Sequence, residues 1–208
     1  MNAQLLRIGR AMKANPFVTA FVVGAVILTI LPFIQRLVLR APPPLLAVPS
    51  FELSTLAGQV SKSEGLRGKV WIASFSRGRC AEDCVERLRF FGQALEHVQD
   101  TSGRIELVSF VEASGAQEAA GSLGAPRSGW RLLTGTDEAL APLFSAFSLG
   151  FTKQSESLRR PTRDLFSSPT LAVVDQNGSV RGYWPADDAG RGHAITAARM
   201  FARYGASP

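Results

Sequence analysis

Two cysteines, Cys80 and Cys84, are the residues of this chain whose type and spacing most clearly suggest chemistry. They are the only cysteines among 208 residues, and three residues separate them in the stretch RCAEDC. Two thiols at this spacing can exchange with a disulfide, or their thiolates can bind a soft ion such as Cu(I). They can also close a local disulfide, although so short a loop would stabilise the fold only weakly. The spacing therefore leaves a redox pair, a copper site and a structural disulfide open.

The elements on either side of the pair indicate how the thiols are presented. The apolar run VWIASFS, residues 70–76, predicts a buried central strand, and apolar residues from Ala81 to about Val98 recur at helical spacing. Cys80 therefore lies near a helix N-terminus, where unpaired N–H groups favour a thiolate. Cys84 follows about one turn later on the same face. If the pair is redox-active, we expect Cys80 to attack and Cys84 to resolve the mixed disulfide.

The remaining elements predict an α/β domain with a mixed sheet. Short strands surround Ala57-Gly58, and residues 104–111 and 130–135 add two more, while residues 112–129 read as loop and weak helix. A helix is predicted over 137–147, followed by a long polar excursion. The stretch PTLAVVD-QNG-SVRGYW then predicts a strand, a turn and a strand, and a final helix closes the chain. This order is typical of the thioredoxin fold, with helices on both faces and two extra strands in front.

Pro169 stands immediately before one of the predicted buried strands. A proline cannot donate to a sheet ladder and therefore belongs at a strand start. In thioredoxin-like folds a cis-proline at this place faces the reactive cysteines and presents backbone to a bound polypeptide, and SPT resembles the motif of membrane-anchored reductases of that superfamily. The resemblance implies a cis Ser168–Pro169 bond and a catalytic role for Pro169 beside Cys80 and Cys84. An ordinary trans proline at a strand edge is the alternative.

The N-terminal region shows the strongest change in composition. Residues 17–34 contain no charge over 18 positions, which is long enough to cross a bilayer core as a helix. Basic residues precede this span and favour a cytoplasmic N-terminus. A cleaved signal peptide is the alternative, but its apolar region is shorter and ends in a small-residue cleavage site that is lacking here. We expect a cytoplasmic tail over 1–16, a transmembrane anchor over 17–39, a proline-rich spacer over 40–49 and the globular domain over 50–208.

The net charge of +6 raises the question of an anionic partner. No zinc-finger, RRM or KH pattern is present and the charge is spread along the chain, so we expect no nucleic-acid binding. The short basic runs FSRGR, residues 75–79, and LRRPTR, residues 158–163, are interpreted as solvated surface, with an anionic partner as the alternative.

Several stretches together resemble the Sco/SenC family, whose members are membrane-anchored thioredoxin-like proteins that assist assembly of the copper site of cytochrome c oxidase. The resemblance rests on FELSTLAGQ, LRGKVWIASF, the C-x-x-x-C pair, GWRLLTG and VVDQNGSVRGYW, and it covers residues 50–185. It implies a bacterial inner-membrane protein with one transmembrane span, its domain in the periplasm. The implied partner is a client with a cysteine pair, such as cytochrome c oxidase subunit II.

Two departures from the family pattern bear on the chemistry. The family has proline after the second cysteine, where this chain has Val85, and it binds copper with both cysteines and a histidine, whose position is Ser167 here. His97, thirteen residues after Cys84, is about 20 Å away along a helix and too far to replace that ligand. His193 is interpreted as a solvent-facing or capping residue, and Met200 is no better placed.

The missing histidine favours thiol–disulfide exchange through Cys80 and Cys84 over copper storage. The first alternative is a copper chaperone that binds Cu(I) with the same two cysteines, since paired thiolates suit this ion and Ser167 does not. The second is an anchored binding module with a structural disulfide. We therefore predict copper as the candidate cofactor and thiol–disulfide oxidoreductase as the candidate activity.

Overall fold

The computed structural model describes residues 16–38, 43–77, 88–89, 91–93, 98, 104–123, 128–161, 163–166 and 168–205. The chain divides into two compact units, Met1–Ala41 and Pro42–Pro208.

Helix α1, Pro16–Val38, belongs to the first unit and contains the uncharged run found in the sequence. Large apolar side chains of this helix lie on its surface: Phe17, Phe21 and Leu28 are 76–83% exposed. Among the helices of the described residues, none satisfies the joint requirement of length and apolarity for crossing a membrane.

Eight strands of the described chain form one mixed sheet in the second unit. In chain order they are β1 (Leu46–Ala47), β2 (Glu52–Thr55), β3 (Val60–Lys62), β4 (Val70–Ser76), β5 (Ile105–Glu112), β6 (Trp130–Gly135), β7 (Thr170–Val174) and β8 (Ser179–Pro185). Three helices accompany them: α2 (Ala113–Leu123), α3 (Asp137–Ser157) and α4 (Asp188–Tyr204). Residues 88–89, 91–93 and 98 are also helical, and the remainder of the helix predicted after the cysteines lies outside the described residues.

The sheet order is β1-β8-β7-β4-β5-β6-β2-β3. Strand β4 runs parallel to β5, and β5 runs parallel to β6, whereas β7 is antiparallel to both β4 and β8. The segment β5-β4-β7-β8 thus combines a strand–helix–strand unit with a hairpin, as the sequence predicts. The additional hairpin β2–β3 pairs with β6 and confirms the two extra strands in front. The mixed α/β class is confirmed.

A single apolar cluster fills the space between the sheet and α3. It contains Trp71 and Ala73 of β4, Phe110 of β5, and Leu143 and Phe147 of α3. Alternate residues of β4 point to the opposite face, because successive side chains of a strand alternate. Helix α4 contacts β4, β5, β7 and β8. Both faces of the central parallel strands are therefore covered, which explains their continuous apolar sequences.

Helix α3 is longer than the sequence predicts. The polar excursion expected over 148–164 is wrong for residues 148–157, which continue the helix to Ser157. The buried positions Phe147, Gly150 and Ser155 keep the helical spacing, so the helix retains a face on the core although most of its other side chains are polar. Packing of that narrow face against the sheet stabilises a segment whose composition indicates a loop.

The segment predicted as a spacer enters the sheet. Leu46 and Ala47 pair with Val180 and Ser179 of β8, and the N–H of Leu45 donates to the Val180 carbonyl at 2.9 Å. Leu45 and Leu46 are partly buried against the core. The compact unit starts at Pro42 rather than near Ser50 because these apolar residues cover the edge of β8.

Candidate functional site

Cys80, Cys84 and Ser167 lie outside the described residues, but the chain is described on both sides of each segment. Ser76 is the last residue of β4, and Arg77 follows it. Residues 78–87, which contain both cysteines, are called the cysteine segment below, and Leu88 follows them. Phe166 and Ser168 flank Ser167.

A small cavity of about 30 Å³, called the site cavity below, joins these flanks. Its lining residues come from the carboxyl end of β4, the helix after the cysteines, the start of β7 and the residue that follows β8: Ser74, Phe75, Ser76, Leu88, Phe91, Pro169, Thr170, Leu171 and Ala186. Ser74 pairs with Leu171 across the antiparallel β4–β7 ladder. Because the two strands run in opposite directions, continuing this register by two residues places Ser76 opposite Pro169.

Residues close to the cysteines in sequence line this cavity. Cys80 follows Ser76 by four residues and Cys84 precedes Leu88 by four residues. The fold therefore brings Pro169 and the residues on both sides of the cysteine segment to one edge of the sheet.

Arg77, the first residue after β4, connects that edge to the loop before Pro169. Its guanidinium carbon lies 4.8 Å from the centre of the Phe166 ring and 5.9 Å from that of Phe144. Its Nε lies 3.3 Å from Oε1 of Glu112, at the end of β5. A guanidinium over an aromatic face is attracted to the π electrons. These contacts hold Arg77, which precedes the cysteine segment, against Phe166, which precedes Ser167.

The helix after the cysteine segment packs against side chains of the sheet that are hydrogen-bonded to one another. The hydroxyls of Ser74 and Ser109 lie 2.7 Å apart, and Nε1 of Trp130 donates to the Ser109 hydroxyl at 3.0 Å. Phe91 packs edge-on against Trp130, with ring centres 6.3 Å apart. A Cβ at Gly92 would lie 2.5 Å from the Trp130 ring, so glycine permits this approach. The helix that follows the cysteines is thereby fixed on the sheet.

Pro169 lines the site cavity, but its peptide bond is not cis. No cis peptide bond occurs among the described residues, which include Ser168 and Pro169, so that expectation was wrong. The trans form is the intrinsically preferred one. The Ala186 N–H donates to the Pro169 carbonyl at 2.9 Å and fixes the peptide that follows the proline. The proline is exposed and presents its ring at the strand start.

The donor set for a metal is incomplete in the described part of the chain. No group of three or more histidine, cysteine, aspartate or glutamate side chains able to hold a metal occurs there. His193 is exposed on α4 and Met200 is half-buried on the same helix, and neither lines the site cavity. His97 lies outside the described residues. Two thiolates remain the soft donors, without a third at the family's ligand position.

Phe166, Phe144 and Glu112 were not identified as site residues from the sequence. Arg77 was noted only as part of a short basic run. No local pattern could have revealed their contacts, because the four residues come from separate elements and meet only in the folded chain.

Neither a family model nor a curated protein matches the sequence, but solved structures resemble the fold. BsSco, a member of the Sco family of cytochrome c oxidase assembly proteins with an identified disulfide switch, is 15% identical with a TM-score of 0.57, covering 78% of this chain and 98% of its own. A SCO1/SenC family lipoprotein from Bacillus anthracis is 20% identical with a TM-score of 0.52, covering 75% and 95%. ScoI from Bradyrhizobium japonicum, solved with copper bound, is 13% identical with a TM-score of 0.53, covering 75% and 99%.

At this level of identity the likeness concerns the fold, because function depends on particular site residues. The described chain has the thioredoxin-like fold of Sco/SenC family proteins, in agreement with the resemblance seen in its sequence.

Proposed function

We propose that this chain is a Sco/SenC-like assembly factor for a respiratory copper site and acts by thiol–disulfide exchange through Cys80 and Cys84. The observation that carries the proposal is the composition of the site cavity. Ser76 precedes the cysteine segment, Leu88 follows it, and Pro169 comes from the neighbouring strand start, yet all three line one cavity. A client disulfide that reaches Pro169 is therefore close to the residues on both sides of the cysteine segment.

The exchange requires only the two thiols and a client disulfide. The Cys80 thiolate attacks one client sulfur, a mixed disulfide forms, and the other client sulfur leaves as a thiolate. The Cys84 thiolate then attacks the Cys80 sulfur and releases the second client thiolate. The client gains two electrons and the chain holds a Cys80–Cys84 disulfide, which an external dithiol reduces again. The two protons of the chain's thiols pass through solvent to the client.

The client that fits this chemistry is a polypeptide with a cysteine pair that must be reduced before it can bind copper. The described role of BsSco in cytochrome c oxidase assembly supports subunit II of such an oxidase as the class of client. The inference from BsSco rests on a shared fold and on the resemblance of sequence motifs.

Copper transfer by the same cysteines is the second candidate function. It is favoured by the copper-bound ScoI structures from Bradyrhizobium japonicum and Arabidopsis thaliana. The residues of this chain fit copper less well, because Ser167 replaces the third soft ligand and no described residue at the site cavity supplies another. Thiol–disulfide exchange needs no third ligand and therefore ranks first.

We also propose that α1 anchors the chain in a bacterial inner membrane, with the domain in the periplasm. The 18 uncharged residues and the preceding basic residues support this orientation. Labelling of Cys80 and Cys84 in intact spheroplasts by a membrane-impermeant maleimide tests it. Labelling only after membrane permeabilisation would contradict the periplasmic location.

The exchange reaction is tested by trapping. Reduced full-length protein in detergent is mixed with an oxidised peptide that contains two cysteines. We expect Cys84→Ala to accumulate a mixed disulfide with the peptide, detectable by mass spectrometry, and Cys80→Ala to accumulate none. The unsubstituted chain should reduce the peptide and form its internal disulfide. A reduction potential below about −300 mV without peptide reduction would instead indicate a structural disulfide.

Titration with Cu(I) tests copper transfer, the second candidate function. Stoichiometric Cu(I) binding that resists a strong chelator and disappears in Cys80→Ala would make copper transfer the primary function. We expect weak binding that the chelator removes, and we expect Ser167→His to strengthen it because imidazole adds a third ligand.

A further inference from the structure

A second and larger cavity adjoins the proposed redox site. It has a volume of about 260 Å³ and is bounded by α3, the loop after it and the end of β8, and we call it the arginine cavity. Ser168 and Thr170 line it, and Thr170 also lines the site cavity, while Pro169 between them lines the site cavity alone. The start of β7 therefore separates two adjoining depressions, one of which is lined by residues on both sides of the cysteine segment.

The charged residues described in the lining of the arginine cavity are all basic. Arg160 and Arg163 line it, and none of the described residues of its lining is acidic. Neither guanidinium forms an ion pair with a residue in the described parts of the chain, and Asp164 accepts a hydrogen bond from the Phe166 N–H at 3.1 Å. Burial raises the pKa of Tyr183 far above its usual value, so its phenol is uncharged. An anionic group is the complement of this lining.

Apolar side chains form the rest of the wall. Phe151, Leu158 and Trp184 line the cavity, and Leu158 is 51% exposed. The backbone edge beside them is already occupied: the Gln154 amide accepts from the Tyr183 N–H at 2.7 Å and donates to the Tyr183 carbonyl at 2.8 Å. A bound peptide would therefore be recognised by its side chains. The backbone groups of Tyr183 in β8 are already paired with Gln154 and cannot pair with an added strand.

The end of α3 fixes the position of Arg160. The Arg160 N–H donates to the Ser155 carbonyl at 2.8 Å and the Arg159 N–H to the Glu156 carbonyl at 3.0 Å. With Arg159 at φ +53°, these bonds form a Schellman motif. The motif ends the helix, turns the chain and fixes the backbone of Arg160.

From this lining we propose that the arginine cavity is a docking subsite for an acidic segment of the redox client, with an apolar side chain beside the carboxylate. The volume is below the roughly 300–1,000 Å³ of sites for drug-sized ligands and cofactors, and it suits one or two side chains. Because Thr170 lines both cavities, a segment bound here continues past Pro169 towards the cysteine segment. The proposal rests on the proposed function for the identity of the client, but its binding step is independent of the cysteines.

Fluorescence polarisation with two labelled pentapeptides tests the subsite. The acidic peptide has phenylalanine between two aspartates, and the neutral peptide has asparagines in their place. We expect full-length protein to bind the acidic peptide about tenfold more tightly than the neutral one at low salt. The double variant Arg160→Gln/Arg163→Gln should remove this preference, whereas Arg203→Gln, at an exposed arginine of α4, should retain it. Leu158→Ala should weaken both peptides.

Additional variants and a competing anion in the same binding experiment distinguish the docking proposal from its alternatives. Cys80→Ser/Cys84→Ser should bind the acidic peptide as the unsubstituted chain does, so the outcome does not depend on redox activity. Equal binding of both peptides, or a preference that survives the double arginine variant with unchanged thermal unfolding, would overturn the docking proposal and leave thiol exchange intact. Displacement of the acidic peptide by equimolar inorganic phosphate would also overturn it, because the cavity would then be a site for free anions.

Discussion

The guanidinium carbon of Arg77 lies 4.8 Å from the centre of the Phe166 ring, and this contact joins two segments that are 89 residues apart in sequence. Arg77 follows the last residue of β4, the strand that leads to the cysteines, and Phe166 precedes Ser167 and Pro169. The side chain of Arg77 is 57% exposed, so its ion pair with Glu112 is screened by solvent and contributes little. The aromatic contact, which water screens less, is the stronger of the two restraints.

A double-mutant cycle of Arg77→Ala and Phe166→Leu measures this contact. We expect a coupling free energy of about 0.5–1 kcal/mol in urea unfolding, because the cation–π attraction is lost in either single variant. The control cycle combines Phe166→Leu with Arg191→Ala on α4, and it should be additive. A coupling of zero within error for Arg77 and Phe166 would show that the two segments are held by other contacts.

Pro169→Ala tests whether the proline contributes to client binding. We expect the mixed disulfide with a peptide substrate to form about tenfold more slowly, corresponding to about 1.4 kcal/mol in the barrier. The exposed proline fixes the backbone that a client meets, and alanine allows more conformations. Alkylation of the cysteines by iodoacetamide should be unchanged. If alkylation slows as much as exchange does, the substitution acts on the thiols rather than on client binding.

The ion cluster at the other end of the sheet predicts a pH dependence of stability. Burial raises the pKa of Glu106, but hydrogen bonds from Arg131 and Lys69 outweigh burial and hold this pKa below its ordinary value. A lowered folded-state pKa means that the stabilisation is fully present above the unfolded pKa of 4.5 and is lost as the pH falls through the lower folded value.

Glu106→Gln should therefore cost about 2 kcal/mol in the free energy of unfolding at pH 7, since two charge-assisted hydrogen-bond partners lose their carboxylate. The difference from the unsubstituted chain should shrink progressively below pH 4.5. Urea unfolding between pH 7 and pH 3 checks this, with the exposed Glu118→Gln as control. A difference that is constant over this range would exclude the carboxylate charge as its source.

Gly150 permits close packing of α3 against β1 and β8. A Cβ at this position would overlap Cδ2 of Leu46 and the hydroxyl of Tyr183, which donates to the Phe147 carbonyl at 2.8 Å. We expect Gly150→Ala to lower the free energy of unfolding by about 1–2 kcal/mol, because overpacking exceeds the gain in helix propensity. Gly192→Ala on α4, where a Cβ meets no atom within 4 Å, should instead stabilise the chain. Thermal unfolding that rises in both variants would contradict the overlap.

Arg159 adopts a left-handed conformation, with φ +53°, at the end of α3. A side chain in this region costs about 1–2 kcal/mol, and glycine removes most of that cost while losing some entropy on folding. We expect Arg159→Gly to raise the free energy of unfolding by about 0.5–1 kcal/mol and Arg159→Ala to leave it nearly unchanged. Equal stabilisation by both variants would attribute the effect to the arginine charge instead of the backbone.

Several elements could be predicted because short-range patterns suffice for them. The β7–β8 hairpin follows from its turn, in which the Asp175 carboxylate accepts from the N–H groups of Asn177 and Ser179 at 2.9 Å and Gly178 has φ +76°. Strand β4 follows from its continuous apolar run. Helix α3 beyond Phe147 and strand β1 could not be predicted in the same way, because a few apolar contacts with distant elements stabilise them against a loop-like composition.

Residue types and spacing alone define the available chemistry: two thiols four positions apart, a serine at the position where the Sco/SenC resemblance implies histidine, and a proline before a buried strand. Spacing and residue type are enough for that inference, since they decide the possible donors and nucleophiles. The tertiary structure decided which groups meet: Arg77 with Phe166, Pro169 in a trans peptide beside Ser76, and two arginines along a cavity that adjoins the site. These relationships depend on sheet register and on the end of a helix, because packing brings together side chains that no local pattern relates.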